Sequence, residues 1–217
     1  MDDVICRSRL LFAVATAAAA LATACGGGSA HLATRESQMQ LHGAVPTQQQ
    51  ARPQFTLLDT SGQTFDFGAR TRGHVTLLYA GYTHCPDECP TAMADIATAL
   101  RQVPADVASA VDVVFVTTDP WRDNAGVLRR WLDKFHPPRP YVGLTGSSTQ
   151  VAGAEVAMGM PVAKPEPAPK SYGSGRYSVT HFAAVMAFGR DDRLATLYPS
   201  GSTPDEIAAD LQVLVKG

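Results

Sequence analysis

The sequence predicts an α/β domain: a central, mostly parallel sheet flanked by helices. Two observations carry this expectation. The runs Val75-Thr-Leu-Leu-Tyr-Ala80 and Val111-Asp-Val-Val-Phe-Val116 are almost wholly apolar, as strands buried on both faces must be. After each run, apolar residues recur at three- and four-residue spacing, as on one face of a helix. Strand and helix patterns in alternation read as βαβ units around a parallel sheet.

Each element follows from local chemistry. Phe55-Thr-Leu-Leu-Asp59 and Gln63-Thr-Phe-Asp-Phe67 flank a Thr60-Ser-Gly62 turn, which predicts a β-hairpin ahead of the α/β core. The helix after Ala80 carries Met93, Ile96, Leu100 and Val103 on one stripe, so Met93 is a core residue. Pro90 suits a first helical position, which places Cys89 at the cap and Cys85 in the loop before it. The strand ending at Val116 leads into a Thr117-Thr-Asp-Pro-Trp-Arg-Asp123 loop. A second helix follows with Val127, Leu128, Trp131, Leu132 and Phe135, and Pro137-Pro138 stops it. Tyr141 to Leu144 is a short strand, and Ser147 or Ser148 caps a helix to about Met158. Residues 161 to 175 hold four prolines and two glycines and read as a loop. Ala183 to Phe188 and Leu194 to Tyr198 form a hairpin around Gly189 to Asp192. Thr203-Pro-Asp-Glu206 is a capping box opening a last helix with Ile207, Leu211 and Leu214.

Residues 1–24 read as a signal peptide of lipoprotein type. Arg7 and Arg9 precede an uncharged, alanine-rich run from Leu10 to Leu21, shorter than the ~20 apolar residues of a membrane span. Small residues then lead to Cys25, and Leu21-Ala-Thr-Ala-Cys25 resembles a bacterial lipobox. This predicts cleavage before Cys25, a lipid on its sulfur, and an exported protein anchored to the outer face of the bacterial cell membrane. Residues 25–50 are polar and read as a flexible tether, with His31, Met39 and His42 solvated in it. Residues 51–217 form the folded domain. A net charge of −2 gives no basic patch for nucleic acid.

Export changes the meaning of the cysteines. Cys6 lies in the leader and Cys25 takes the lipid, so the domain keeps Cys85 and Cys89. An oxidising compartment favours a disulfide. A bridge across three intervening residues closes so short a loop that it adds little by chain entropy, which points to chemistry rather than stapling. A helix N-terminus favours the thiolate, while Asp87 and Glu88 oppose it. Thiolates select soft ions. A structural zinc site wants four protein ligands and an iron–sulfur cluster usually four cysteines, whereas two sulfurs and one histidine suit copper. Dithiol–disulfide exchange needs only the two sulfurs, and both uses stay open on these residues. A thiol peroxidase would need one activated cysteine, and nothing in the chain points to it.

Gly81-Tyr-Thr-His-Cys-Pro-Asp-Glu-Cys-Pro90 resembles the G-Y-T-x-C-P-D-x-C-P of the SCO/SenC family, and Asp119-Pro-Trp-Arg-Asp123 resembles its D-P-x-R-D loop. Phe135-His-Pro and Gly143-Leu-Thr-Gly146 stand where that family has like segments. Tyr177-Ser-Val-Thr-His181 is similar to its Y-x-V-D-H, although Thr180 replaces the aspartate and Phe182 a small polar residue. The resemblance implies a thioredoxin-like fold with an added N-terminal hairpin. It implies a copper metallochaperone that binds copper, as Cu(I) or Cu(II), through Cys85, Cys89 and His181. The recipient would be the dinuclear copper site of cytochrome c oxidase. The alternative is a thiol–disulfide oxidoreductase that keeps the recipient's cysteines reduced, with Cys85 and Cys89 as catalytic residues. Asp119, Arg122 and Asp123 would lie near the metal or meet the partner. Trp121 beside Arg122 is of the type enriched at interfaces. His84 adjoins Cys85 but points away from it on an extended segment. Met158 and Met160 are packing residues with thioethers that could reach copper.

Overall fold

The computed structural model describes residues 41–167 and 177–217. The chain forms β1 (Thr56–Asp59), β2 (Thr64–Asp66), α1 (Phe67–Thr71), β3 (Val75–Gly81), α2 (Glu88–Gln102) and α3 (Ala105–Ser109). It continues with β4 (Val111–Thr117), α4 (Ala125–Asp133), β5 (Val142–Thr145), α5 (Ser148–Ala157) and β6 (Pro165–Pro167). The last elements are β7 (Tyr177–Val179), β8 (Ala184–Phe188), β9 (Leu194–Pro199) and α6 (Pro204–Lys216).

Seven strands make one sheet in the order β2-β1-β5-β4-β3-β8-β9. The three central strands β5, β4 and β3 pair in parallel, as their helical crossovers require. Both edges are antiparallel: the expected N-terminal hairpin joins through β1 to β5, and β8–β9 joins through β8 to β3. Side chains of β3 and β4 alternate between two cores. Val75, Leu77, Tyr79, Val113 and Phe115 face α2, α3, α4 and α6. Leu78, Ala80, Val114 and Val116 face α5 and the hairpin. Met93 lies in the first core, and Met158 and Met160 in the second.

Capping chemistry sets the helix starts. Asn124 accepts from the Val127 N–H, and Ser147 and Thr203 each build a capping box with Gln150 and Glu206. Gly62 adopts a φ of 82° in the β1–β2 turn, where Asp59 accepts from the Ser61 and Gln63 N–H groups.

Three expectations change. Helix α2 begins at Glu88, so Cys89 is its second residue and Pro90 its third. Proline is tolerated there because first-turn N–H groups have no helical partner. The loop expected over 161–175 contains β6, which pairs with β7 through Pro165, Glu166 and Pro167. The end of the expected tether belongs to the domain. Ala44 bridges Leu197, Ala51 bridges Arg193, and His42, though exposed, is anchored by hydrogen bonds to Asp210. The buried Asp210 accepts from the His42 and Gly43 N–H groups and the Tyr198 hydroxyl, while Arg52 donates to Thr71, Thr76 and two carbonyls. The leader, Cys25, His31 and Met39 lie outside the described residues. Among the described residues, no helix is long and apolar enough to cross a membrane.

Candidate metal centre

The centre forms where three segments meet at the C-terminal end of the parallel strands. Strand β3 ends at Gly81, and the chain turns over Tyr82 to Asp87 into α2. Gly81 is a steric requirement. A Cβ there would lie 2.7 Å from Cys89 Sγ and 2.8 Å from the Tyr79 ring. Its absence lets the first turn of α2 settle on the end of the sheet.

Cys85 Sγ accepts the Cys89 N–H at 3.4 Å, and Cys89 Sγ lies 3.3 Å from His181 Nε2. The two sulfurs and the imidazole nitrogen all lie within 4.8 Å of one another. Both thiols are free and buried. His181 Nδ1 stands 3.3 Å from the Val179 carbonyl oxygen, an acceptor that favours a proton on Nδ1 and leaves the Nε2 lone pair facing the sulfurs. Tyr79 and Tyr82 present ring edges to His181, with centroids 6.3 and 5.4 Å away.

The two thiols are electrostatically unequal. A hydrogen bond from Cys89, helped by the Cys89 and Asp87 N–H groups and the nearby imidazole, brings Cys85 down to about 5 against the pull of burial. Burial pushes Cys89 far up, and a charged Cys85 beside it opposes a second negative charge. The Tyr79 hydroxyl reaches Cys89 Sγ at 3.8 Å from below. Acidic Asp87 and Glu88 stand exposed at the helix start, so local N–H donors outweigh them at Cys85.

The expected loop residues hold this arrangement. Asp123 is fully buried and accepts from the Thr83 N–H at 2.8 Å, the Thr83 hydroxyl at 2.6 Å and the Thr117 hydroxyl at 2.8 Å. It thereby ties the cysteine loop to β4. Arg122 pairs with Asp119, donates to the Tyr177 carbonyl at 3.1 Å and lies 3.6 Å over the Tyr177 ring. The Tyr177 hydroxyl returns a hydrogen bond to Asp119 at 2.9 Å. Arg122 also lies over Tyr82, 5.6 Å from the ring centroid, so one guanidinium joins the loop, the cysteine turn and the segment leading to His181. His84 turns to Thr83 and stays out of the cluster, while Trp121 is 83% exposed. Thr180 bonds Lys164 through its N–H and hydroxyl, pinning the histidine segment to the residue before β6.

Sequence reading missed Gly81, Tyr79 and Tyr82 as walls of the centre. Gly81 and Tyr82 sit inside the cysteine motif, but their contacts depend on the sheet, which spacing does not reveal. The model of the SCO1/SenC family matches residues 43–216. This chain belongs to the SCO1/SenC family. The SCO1/SenC chain is 30% identical over 165 residues to a Stutzerimonas stutzeri protein named for copper binding, covering 76% of this chain and 72% of that one. It is 38% identical over 135 residues to the human mitochondrial SCO2 homolog, covering 59% of this chain and 50% of that one. Among solved structures, Bradyrhizobium japonicum ScoI with copper bound superposes with a TM-score of 0.64 at 30% identity, covering 76% and 99% of the two chains. Apo Sco1 from Thermus thermophilus gives 0.68 at 30% identity, covering 80% and 96%. BsSco, described as a member of the Sco family of cytochrome c oxidase assembly proteins, shares the fold with a TM-score of 0.61 at 19% identity, covering 79% and 98%. The expected thioredoxin-like fold is that of these neighbours.

Proposed function

We propose that this protein is an extracytoplasmic copper metallochaperone. Copper is its cargo, held by Cys85, Cys89 and His181 and delivered to the dinuclear copper site of cytochrome c oxidase. The observation that carries the reading is the convergence of two thiol sulfurs and Nε2 within 4.8 Å from segments far apart in sequence. Two soft sulfurs and one imidazole fit copper in a low coordination number, and among the described residues no fourth protein ligand joins them to make a structural zinc site. Cys85 supplies thiolate at neutral pH, while Cys89 gives up its proton when the metal enters. His181 is preset by the Val179 carbonyl. Ligand exchange to cysteines of the recipient needs a ligand that can leave one at a time, and the half-exposed position of His181 supplies one. The resemblance of Leu21-Ala-Thr-Ala-Cys25 to a lipobox supports anchoring at the outer face of the bacterial cell membrane.

Titration of the reduced protein with Cu(I) in the presence of a competing chelator tests this reading. One equivalent is retained by the wild type. His181→Ala weakens retention about tenfold or more, and Cys85→Ser abolishes it. Equal retention by all three proteins would sink the copper role.

A second reading has an observation of its own. The low value of Cys85 beside a protonated Cys89 is the asymmetry of a dithiol reductant, whose attacking thiolate is resolved by its neighbour. Reduction of the recipient's cysteines would use Cys85 and Cys89 without His181. A His181→Ala variant that reduces a peptide disulfide at the wild-type rate but loses copper separates the two roles.

A further inference from the structure

A groove of about 580 Å³ runs beside the metal centre, between α5, the loop after β4 and the segment leading into β6. Its walls are mainly apolar, with Val151, Val162 and Ala163 among them. Trp121 stands on its rim at 83% exposure and Val162 is 40% exposed, an unusual amount of apolar surface for one place. Asp119, Tyr177 and Val179 also line it, so the groove is continuous with the wall that carries His181.

Two polar groups in this groove lack adequate partners. Glu155 is 3% exposed, and among the described residues only the Ala163 N–H donates to it, at 3.1 Å to one oxygen. Burial raises its pKa, and no cation among the described residues offsets that cost. Thr118 is 8% exposed, and among the described residues its hydroxyl oxygen has no hydrogen-bond partner. A buried carboxyl with one free oxygen, under an exposed indole, is complementary to a cation that carries apolar surface with it.

We propose that this groove docks a polypeptide segment of a partner protein that presents an arginine or lysine flanked by apolar side chains. The cation meets the free Glu155 oxygen, its alkyl stem and apolar neighbours cover Val151 and Val162, and Trp121 closes over them. Arginine fits best, because its planar fork can bond the carboxylate while its face stacks on the indole. A segment bound here stands against the strand that leads to His181, which brings its parent protein to the metal centre. The docking rests on the groove alone and holds with or without copper.

The test titrates the protein with the blocked tripeptide acetyl-Leu-Arg-Leu-amide and follows backbone and indole N–H resonances. Saturable shifts are expected at Trp121, at residues 148–155 and at 162–164. Glu155→Gln keeps an acceptor for the Ala163 N–H but removes the charge, and weakens binding about tenfold. Trp121→Ala, at an exposed position that cannot unfold the core, weakens it about fivefold. Acetyl-Leu-Glu-Leu-amide and methylguanidinium alone bind at least about tenfold more weakly than the arginine peptide. Cys85→Ser binds the peptide as the wild type does, which separates failure here from failure of the copper role. Unsaturable shifts, shifts centred elsewhere, equal binding by the acidic peptide or by methylguanidinium, or an unchanged Glu155→Gln affinity would overturn the proposal.

Discussion

At the scale of single residues, the paired cysteines divide their labour. Cys89 is fully buried against Tyr79 and keeps its proton, while Cys85 sits nearer the surface and holds a thiolate. In the reduced, metal-free protein, iodoacetamide should therefore label Cys85 first, with a rate that rises through about pH 5 and levels off near neutrality. Cys89→Ala removes the thiol donor and moves that midpoint upward, and mass mapping of the labelled residue checks both statements. The sign for stability follows from the same depression. Below about pH 5 the Cys85 thiolate is lost and with it this part of folding stability, which is fully present above the unfolded thiol's value. Equal labelling of both cysteines would contradict the asymmetry. The replaced aspartate at position 180 also finds its meaning here. The imidazole is oriented by the Val179 carbonyl, and Thr180 fastens the segment to Lys164 instead.

At the scale of elements, the cysteine turn is held by a strand-end loop as well as by its own helix. Asp123 takes three hydrogen bonds from Thr83 and Thr117, and its backbone carbonyl accepts a fourth contact from the Thr145 hydroxyl. Asp123→Ala leaves the Thr83 N–H and two hydroxyls without their acceptor at the base of the metal loop. A loss of about 3 kcal/mol in unfolding free energy is expected. Copper affinity should fall with it by about tenfold or more, measured by the same chelator competition. A variant as stable as the wild type would show that the loop is held elsewhere. Much at this scale was legible: continuous apolar runs marked β3 and β4, and Thr203-Pro-Asp-Glu206 marked the start of α6. What stayed hidden depends on distant partners. Pro165 to Pro167 has no strand signature of its own and becomes β6 only because Tyr177 to Val179 pairs with it. His42 looked like a linker residue because its anchor, Asp210, lies at the other end of the chain.

At the scale of the whole molecule, the centre joins parts of the fold that lie far apart in the sequence. Cys85 and Cys89 belong to the turn between β3 and α2, and His181 to the connection between β7 and β8. A metal bound to all three clamps the helix start to the hairpin side of the sheet and binds the folded chain more tightly than the unfolded one, which presents only the two nearby sulfurs together. It should therefore stabilise by mass action, by at most about 4 kcal/mol when free copper stands about a thousandfold above its dissociation constant. Thermal unfolding of the copper-loaded and chelator-stripped protein reads this directly, as a fall in midpoint on stripping. Protons compete for the same sulfurs, so the difference between the two midpoints should narrow as the pH falls through about 5, where Cys85 regains its proton. His181→Ala should retain part of the difference, because the two sulfurs remain, whereas Cys85→Ser should lose nearly all of it. If the stripped and loaded proteins unfold at one temperature across this range, the metal does not bridge these segments.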